Sequence, residues 1–361
     1  MKRSTLINLA KLLLAAALIW YVLNKVGFQN VVDRLQNIQV EVWLLGLLVI
    51  FLGNCLSMVR WHLLMRSVGL NSTVWSALRL GFIGLFFNNV VPGLTGGDLV
   101  KAFYITREHP LQRADAVISV IVDRVIGIVA LALIAAVIIP FDLERYGEVA
   151  IWIYGFLAVM AVGGMMVLSR RIKARIKRLS EALGRKPKED GTTLLGKLDR
   201  AVSMYRDRMG TVTLAMVMSI GVHMLVMTGL WIFGMALTQE GSPDVAELVA
   251  AGLRPLGELG LDVYCSVVPI IMMISSIPIA PAGWGVGETA FQYFFSTVDV
   301  AEADAVALSF TYRLTATLIS LLGGLFLVVD RKKVMQDLPG PESPDADDPE
   351  APETPEPPSS S

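Results

Sequence analysis

Five charged side chains stand inside otherwise apolar stretches: Asp98, Asp123, Arg124, Glu288 and Arg313. A charge at bilayer depth is costly, so such a residue faces a cavity or a partner and marks a candidate site. A guanidinium matches the oxygens of a phosphate in a bidentate fork, which makes Arg124 and Arg313 candidates for binding a phosphate-bearing headgroup. The carboxylates of Asp98 and Glu288 could gate through an ion pair, couple to protons or receive a cationic group. The competing reading is permanent pairing, of Arg124 with Asp98 or Asp123 and of Arg313 with Glu288. The arrangement occurs twice: Asp98 precedes Arg124 by 26 residues, and Glu288 precedes Arg313 by 25. The two arginines thus read as two copies of one binding element.

Each carboxylate follows a break in the helical pattern. Pro92, Gly93, Gly96 and Gly97 lead into Asp98; Pro281, Gly283, Gly285 and Gly287 lead into Glu288. Proline removes an N–H donor and disfavours helix at the residue before it, and glycine permits turns that other residues resist. Freed backbone groups cannot face lipid, so both breaks should face protein or a water-filled cavity. Thr95 and Asp98 form a loose capping box, and Asp98 and Glu288 could each serve simply as a cap. Asn88 and Asn89 could add polar contacts. His223, alone on an apolar helix, and Trp284 are read as packing residues.

The elements that must hold these residues are membrane helices. The chain has 361 residues, 54% of them hydrophobic and 17% charged. Several uncharged runs approach the length that spans a bilayer. The expected order is a span at 6–23, a span at 42–64, a broken segment at 75–107 and spans at 113–140, 149–169 and 211–237. A second broken segment at 262–295 and a span at 303–329 follow. A short amphipathic helix is expected after Ser242, ending before Pro255.

Residues 170–208 carry 13 Lys/Arg against five acids, and Arg331-Lys332-Lys333 closes the last span. Both should be cytoplasmic, with the N-terminus and the Arg60/Arg66/Arg79 cluster. All of these fall on one side only if each broken segment enters and leaves on the same face. The segment 97–108 is about 18 Å long as a helix, too short to cross. The expected fold is therefore an all-α membrane bundle of six full spans and two re-entrant broken-helix hairpins. Units 42–140 and 211–329 start on opposite sides, as an inverted repeat does; transporters place their sites where such repeats meet. Residues 1–333 form one membrane domain. Residues 334–361, with eight acids, eight prolines and no Lys or Arg, are expected to be a disordered tail.

Other chemistries find little support. Gly283-Trp284-Gly285-Val286-Gly287 lacks the preceding strand of a nucleotide loop. There is no metal-ligand spacing and no nucleophile elbow, so no metal or cofactor is expected. Cys55 and Cys265 sit in apolar stretches and give no disulfide framework. The basic loop suits anionic lipid better than nucleic acid.

The chain resembles the flippase-like integral-membrane family named after the transmembrane region of lysylphosphatidylglycerol synthase. The resemblance rests on Pro92-Gly93 with Gly96-Gly97-Asp98, Arg60-Trp61, Asp123-Arg124, and Pro281-Ala282-Gly283 with Gly285 and Glu288, and covers residues 1–333. It implies a protein of a bacterial-type inner membrane that moves or handles lipid. A membrane lipid is then the expected partner, with a lipid-modifying enzyme as a further one. Aminoacyl transfer is not expected, since 28 residues after Lys333 cannot hold the synthase domain. The leading expectation is a non-enzymatic translocator of a phosphate-bearing lipid. The rivals are a glycosyltransferase-like or lipid-modifying membrane enzyme using Asp98 and Glu288 as acid and base, and a non-catalytic scaffold.

Overall fold

A computed structural model of the chain describes residues 19–25, 27–89, 96–141, 143–168, 204–206, 208–238, 243–276 and 284–329. Every regular element among them is helical. The stretch 19–25 is helical (α1), followed by α2 (Phe28–Gln36), α3 (Val40–Ser67), α4 (Val74–Asn89), α5 (Gly97–Glu108), α6 (Arg113–Ile138) and α7 (Leu143–Leu168). Then come α8 (Met209–Leu237), α9 (Pro243–Ala250), α10 (Leu261–Ser275), α11 (Val286–Ser296) and α12 (Glu302–Val329). Four stretches, Val40–Ser67, Pro110–Phe141, Met209–Leu237 and Glu302–Val329, are long and apolar enough to cross a membrane. Shorter apolar helices run over Val149–Gly164 and Leu261–Ser275. On α7, Ile151 and Trp152 are 76% and 80% exposed, which suits lipid rather than water. Residues 6–18 of the first expected span, residues 170–203 and 207 of the basic loop, and the tail lie outside the described residues.

The two broken segments are helix pairs. Val74–Asn89 and Gly97–Glu108 are the halves of the first, and Leu261–Ser275 and Val286–Ser296 those of the second. In the first pair, Glu108 at the end of α5 accepts hydrogen bonds from Ser76 and Arg79 near the start of α4, at 2.8 and 2.5 Å. In the second, the Arg254 N–H, ahead of α10, donates to the Asp299 carbonyl, beyond α11, at 2.7 Å. Each pair is therefore antiparallel, with its open ends together.

The long helices arrange these pairs symmetrically. Gln39 donates to the Thr238 carbonyl at one end of the α3–α8 contact, and Arg60 to Ser219 at the other. The two helices therefore run antiparallel. Exchanging α3, α4, α5 and α6 for α8, α10, α11 and α12 maps the contacts onto one another. Helix α4 packs on α12 as α10 packs on α6, and α5 on α6 as α11 on α12. The amphipathic segment after Ser242 forms α9 and stops at Ala250, ahead of Gly252, whose φ of 77° ends the helix before Pro255 is reached.

Candidate functional site

The first helix pair is built around one close approach. A Cβ at Gly97 would collide with the Gly84 carbonyl oxygen, so only glycine lets α5 lie this near α4. The side-chain oxygen of Asn88, at the end of α4, accepts the Gly97 N–H at 2.8 Å. That bond satisfies one of the orphan donors of the α5 N-terminus. The N-cap of α5 is Gly96 and carries no side-chain cap bond, and Asp98 is drawn away to Arg124; Thr95, the other member of the expected capping box, lies outside the described residues.

Arg124 and Asp98 form an ion pair, their side chains 52% and 31% exposed. Asp123, one residue earlier, lies on another face of α6 and pairs with Arg60 at 2.8 Å instead. Arg60 also donates to the hydroxyls of Ser219 and Ser57. Between the two carboxylates lies Lys101, 3.8 Å from Asp98 and 3.9 Å from Asp123. Its ammonium sits over the Trp61 ring at 4.4 Å from the centroid. The result is a chain of alternating charge, Arg124–Asp98–Lys101–Asp123–Arg60.

Arg60 reads in the sequence as one charge of a basic cluster with Arg66 and Arg79, yet it is inside the protein, 5% exposed, beside the fully buried Trp61. Arg60 is tolerated inside because its guanidinium has a carboxylate and two hydroxyls. Lys101 was not singled out at all; its place three residues after Asp98, on the same helix face, was the available signal.

This charge chain borders a cavity of about 360 Å³, with Asn54, Asn88 and Tyr312 among the other lining residues. Its formal charge is three cations less two carboxylates, or +1. His223 also lines it and donates from Nε2 to the Gly127 carbonyl at 2.9 Å, which fits the packing role read for it.

The second helix pair is different. Gly285 has φ 81°, a left-handed conformation that favours glycine, and its N–H donates to Glu288 Oε2 at 2.6 Å. Glu288 is thus a cap, and it also pairs with Arg313, whose Nη2 lies 3.4 Å from the same oxygen. The two expected roles coexist in one carboxylate. A Cβ at Gly287 would meet Arg313 Nη2, so glycine leaves the guanidinium room in this position. The guanidinium rests over Trp284, 4.7 Å from its ring centroid, so this tryptophan holds the arginine. Arg313 and Glu288 are 13% and 0% exposed. Arg313 borders a second cavity, of about 290 Å³, lined also by Trp284, Phe291 and Asn89 among others. Asn89 donates to the Leu85 carbonyl of its own helix at 3.0 Å. Pro92, Gly93, Pro281 and Gly283 lie outside the described residues.

The two cavities share a wall that includes Asn54, Asn88, Ser276 and Tyr312. Residues in and beside the two cavities correspond. Gly97, Asp98 and Lys101 match Gly287, Glu288 and Phe291 at an offset of 190, and Asp123 and Arg124 match Tyr312 and Arg313 at 189. The arginine–carboxylate pair is kept in both halves, whereas Lys101 and Asp123 give way to two aromatic rings.

Comparison with known proteins places the chain among membrane proteins. A UPF0104 membrane protein of Methanocaldococcus jannaschii is 20% identical over 347 residues, covering 92% of this chain and 96% of that protein. One from Methanothermobacter thermautotrophicus is 23% identical over 297 residues, 77% of this chain and 80% of its own length. A third, from Pyrococcus horikoshii, is 24% identical over 151 residues, 41% of this chain and 44% of that protein. The model of the lysylphosphatidylglycerol synthase transmembrane region matches residues 8–324, and the chain belongs to that family of multi-pass integral membrane proteins.

Proposed function

We propose that this protein moves a phosphate-bearing lipid headgroup across a cytoplasmic-type membrane. It does so by alternating access between two re-entrant hairpins within a six-span, inverted-repeat bundle whose termini are cytoplasmic. The observation that carries this reading is the unequal exposure of the two matched ion pairs. Arg124, in a cavity of formal charge +1, is half exposed, while Arg313 and its carboxylate are buried, at 13% and 0% exposed. A transporter caught in one state has this property: one half is open to a ligand and its counterpart closed. The antiparallel run of α3 and α8 supports opposite starting sides for the two units.

In this reading a phosphate enters beside Arg124 and takes its guanidinium in a bidentate fork. Asp98 is then released toward Lys101, already 3.8 Å away, so neither carboxylate is left unmatched in low dielectric. The matching change in the other half, parting Arg313 from Glu288, gives the second cavity access to the opposite face as the first loses its own.

The test is headgroup-resolved lipid flipping in proteoliposomes. Arg124→Lys keeps the charge and loses the fork, and should slow flipping at least tenfold with unchanged folded yield. Asp98→Asn removes the competing charge without a capping role to lose, and should also impair turnover. Wild-type rates in both variants would refute the assignment. Cysteine labelling in intact cells should reach position 299 from outside and position 107 only from the cytoplasm; the reverse pattern would remove the re-entrant hairpins.

A further inference from the structure

The matched cavities differ in chemistry, and the difference bears on the substrate. The first offers net positive charge. The second offers none: Arg313 is engaged by Glu288 on one side and by the Trp284 face on the other. What remains around it is neutral. Asn89 and Thr317 line the second cavity and not the first, as do the aromatic rings of Trp284 and Phe291. Ser275 and Ser309 are in its lining as well.

We infer that the second cavity is a subsite for an uncharged, hydroxyl-bearing group, a sugar or other polyol, and that the substrate is a lipid whose phosphodiester carries such a group. Amides and hydroxyls at the cavity edge exchange hydrogen bonds with a polyol, and the flat rings of Trp284 and Phe291 cover its apolar C–H face. The phosphodiester occupies the first cavity beside Arg124. The wall that separates the two cavities contains Asn54, Asn88 and Ser276, whose polar side chains suit the junction of the two parts. A ligand spanning both would fill about 650 Å³, the sum of 360 and 290 Å³, within the ordinary range for small-molecule sites. This assignment rests on the translocator reading for the phosphate and adds to it the group attached beyond.

The experiment compares binding of two lipids to the full-length protein in nanodiscs. Phosphatidylinositol carries a phosphodiester with a cyclic polyol; phosphatidylmethanol carries the same phosphodiester with a methyl group. The wild type should bind phosphatidylinositol at least about tenfold more tightly, because a site that hydrogen-bonds hydroxyls rejects an analogue lacking them. Thr317→Val, which keeps the side-chain shape and removes one hydroxyl, should reduce that preference severalfold, read as the ratio of the two dissociation constants. Equal affinities in the wild type would overturn the inference and leave the phosphate reading standing. An unchanged ratio in a monodisperse Thr317→Val protein would also overturn it. Failure of the folded wild type to bind either lipid would remove the phosphate site itself, and the polyol subsite with it.

Discussion

The Arg60–Asp123 pair should couple two helices so strongly that its members cannot be removed one at a time. Their side chains are 6% and 8% exposed, and Nε lies 2.8 Å from Oδ1. At an effective dielectric constant of about 20, that separation corresponds to roughly 6 kcal/mol of attraction. Much of this offsets the desolvation of both ions, so replacing the pair together is mild while removing one partner is not. Arg60→Met leaves Asp123 with Lys101, 3.9 Å away and shared with Asp98. Asp123→Leu leaves Arg60 with only two hydroxyls. Each single change should cost about 3 kcal/mol or slightly more, and the double change roughly 2 kcal/mol. The coupling energy is then about 4 kcal/mol, the sum of the singles less the double. It is measurable as a double-mutant cycle by SDS-titrated unfolding in mixed micelles. Additivity within about 0.5 kcal/mol would refute the reasoning, because independent sites behave that way.

Three further outcomes follow from the geometry. Gly97→Ala places a methyl group against the Gly84 carbonyl oxygen and should cost about 1–3 kcal/mol or lower the folded yield; a neutral result would show that α4 and α5 can separate freely. Asn88→Ala withdraws the acceptor for the Gly97 N–H and should cost about 1 kcal/mol of stability, as lost caps do. Glu288→Gln keeps an acceptor for Gly285 but leaves Arg313 without its counter-charge in a buried site. It should destabilise the protein by about 3 kcal/mol, clearly more than Asp98→Asn in the partly exposed first pair, and the melting temperatures of the two variants give the ranking.

Much of this protein is legible one residue at a time. Apolar runs give the helices, because a segment in lipid must satisfy its own backbone and helix does so locally. Gly97–Glu108 is a helix with the bounds expected for one half of the first broken segment, and Val74–Asn89 is the helix of the other half. The near-equal spacings, 26 residues from Asp98 to Arg124 and 25 from Glu288 to Arg313, point to Glu288 as the partner of Arg313, but they leave Arg124 a choice between Asp98 and Asp123 that the packing decides. What the sequence could not assign is which face of a helix looks inward, for when nearly all residues are apolar the amphipathic signal vanishes. Asp123 and Arg124 are neighbours in the chain with different partners, roughly 100° apart around α6. Arg60 lies near the end of a long span and reads as an interfacial charge; only the antiparallel packing of α3 against α8, with Ser219 opposite, turns it inward. The charge chain through Lys101 and the shared wall between the cavities join residues far apart in sequence. Such contacts depend on how six helices pack around one another, and side-chain type and spacing along the chain carry no record of that packing.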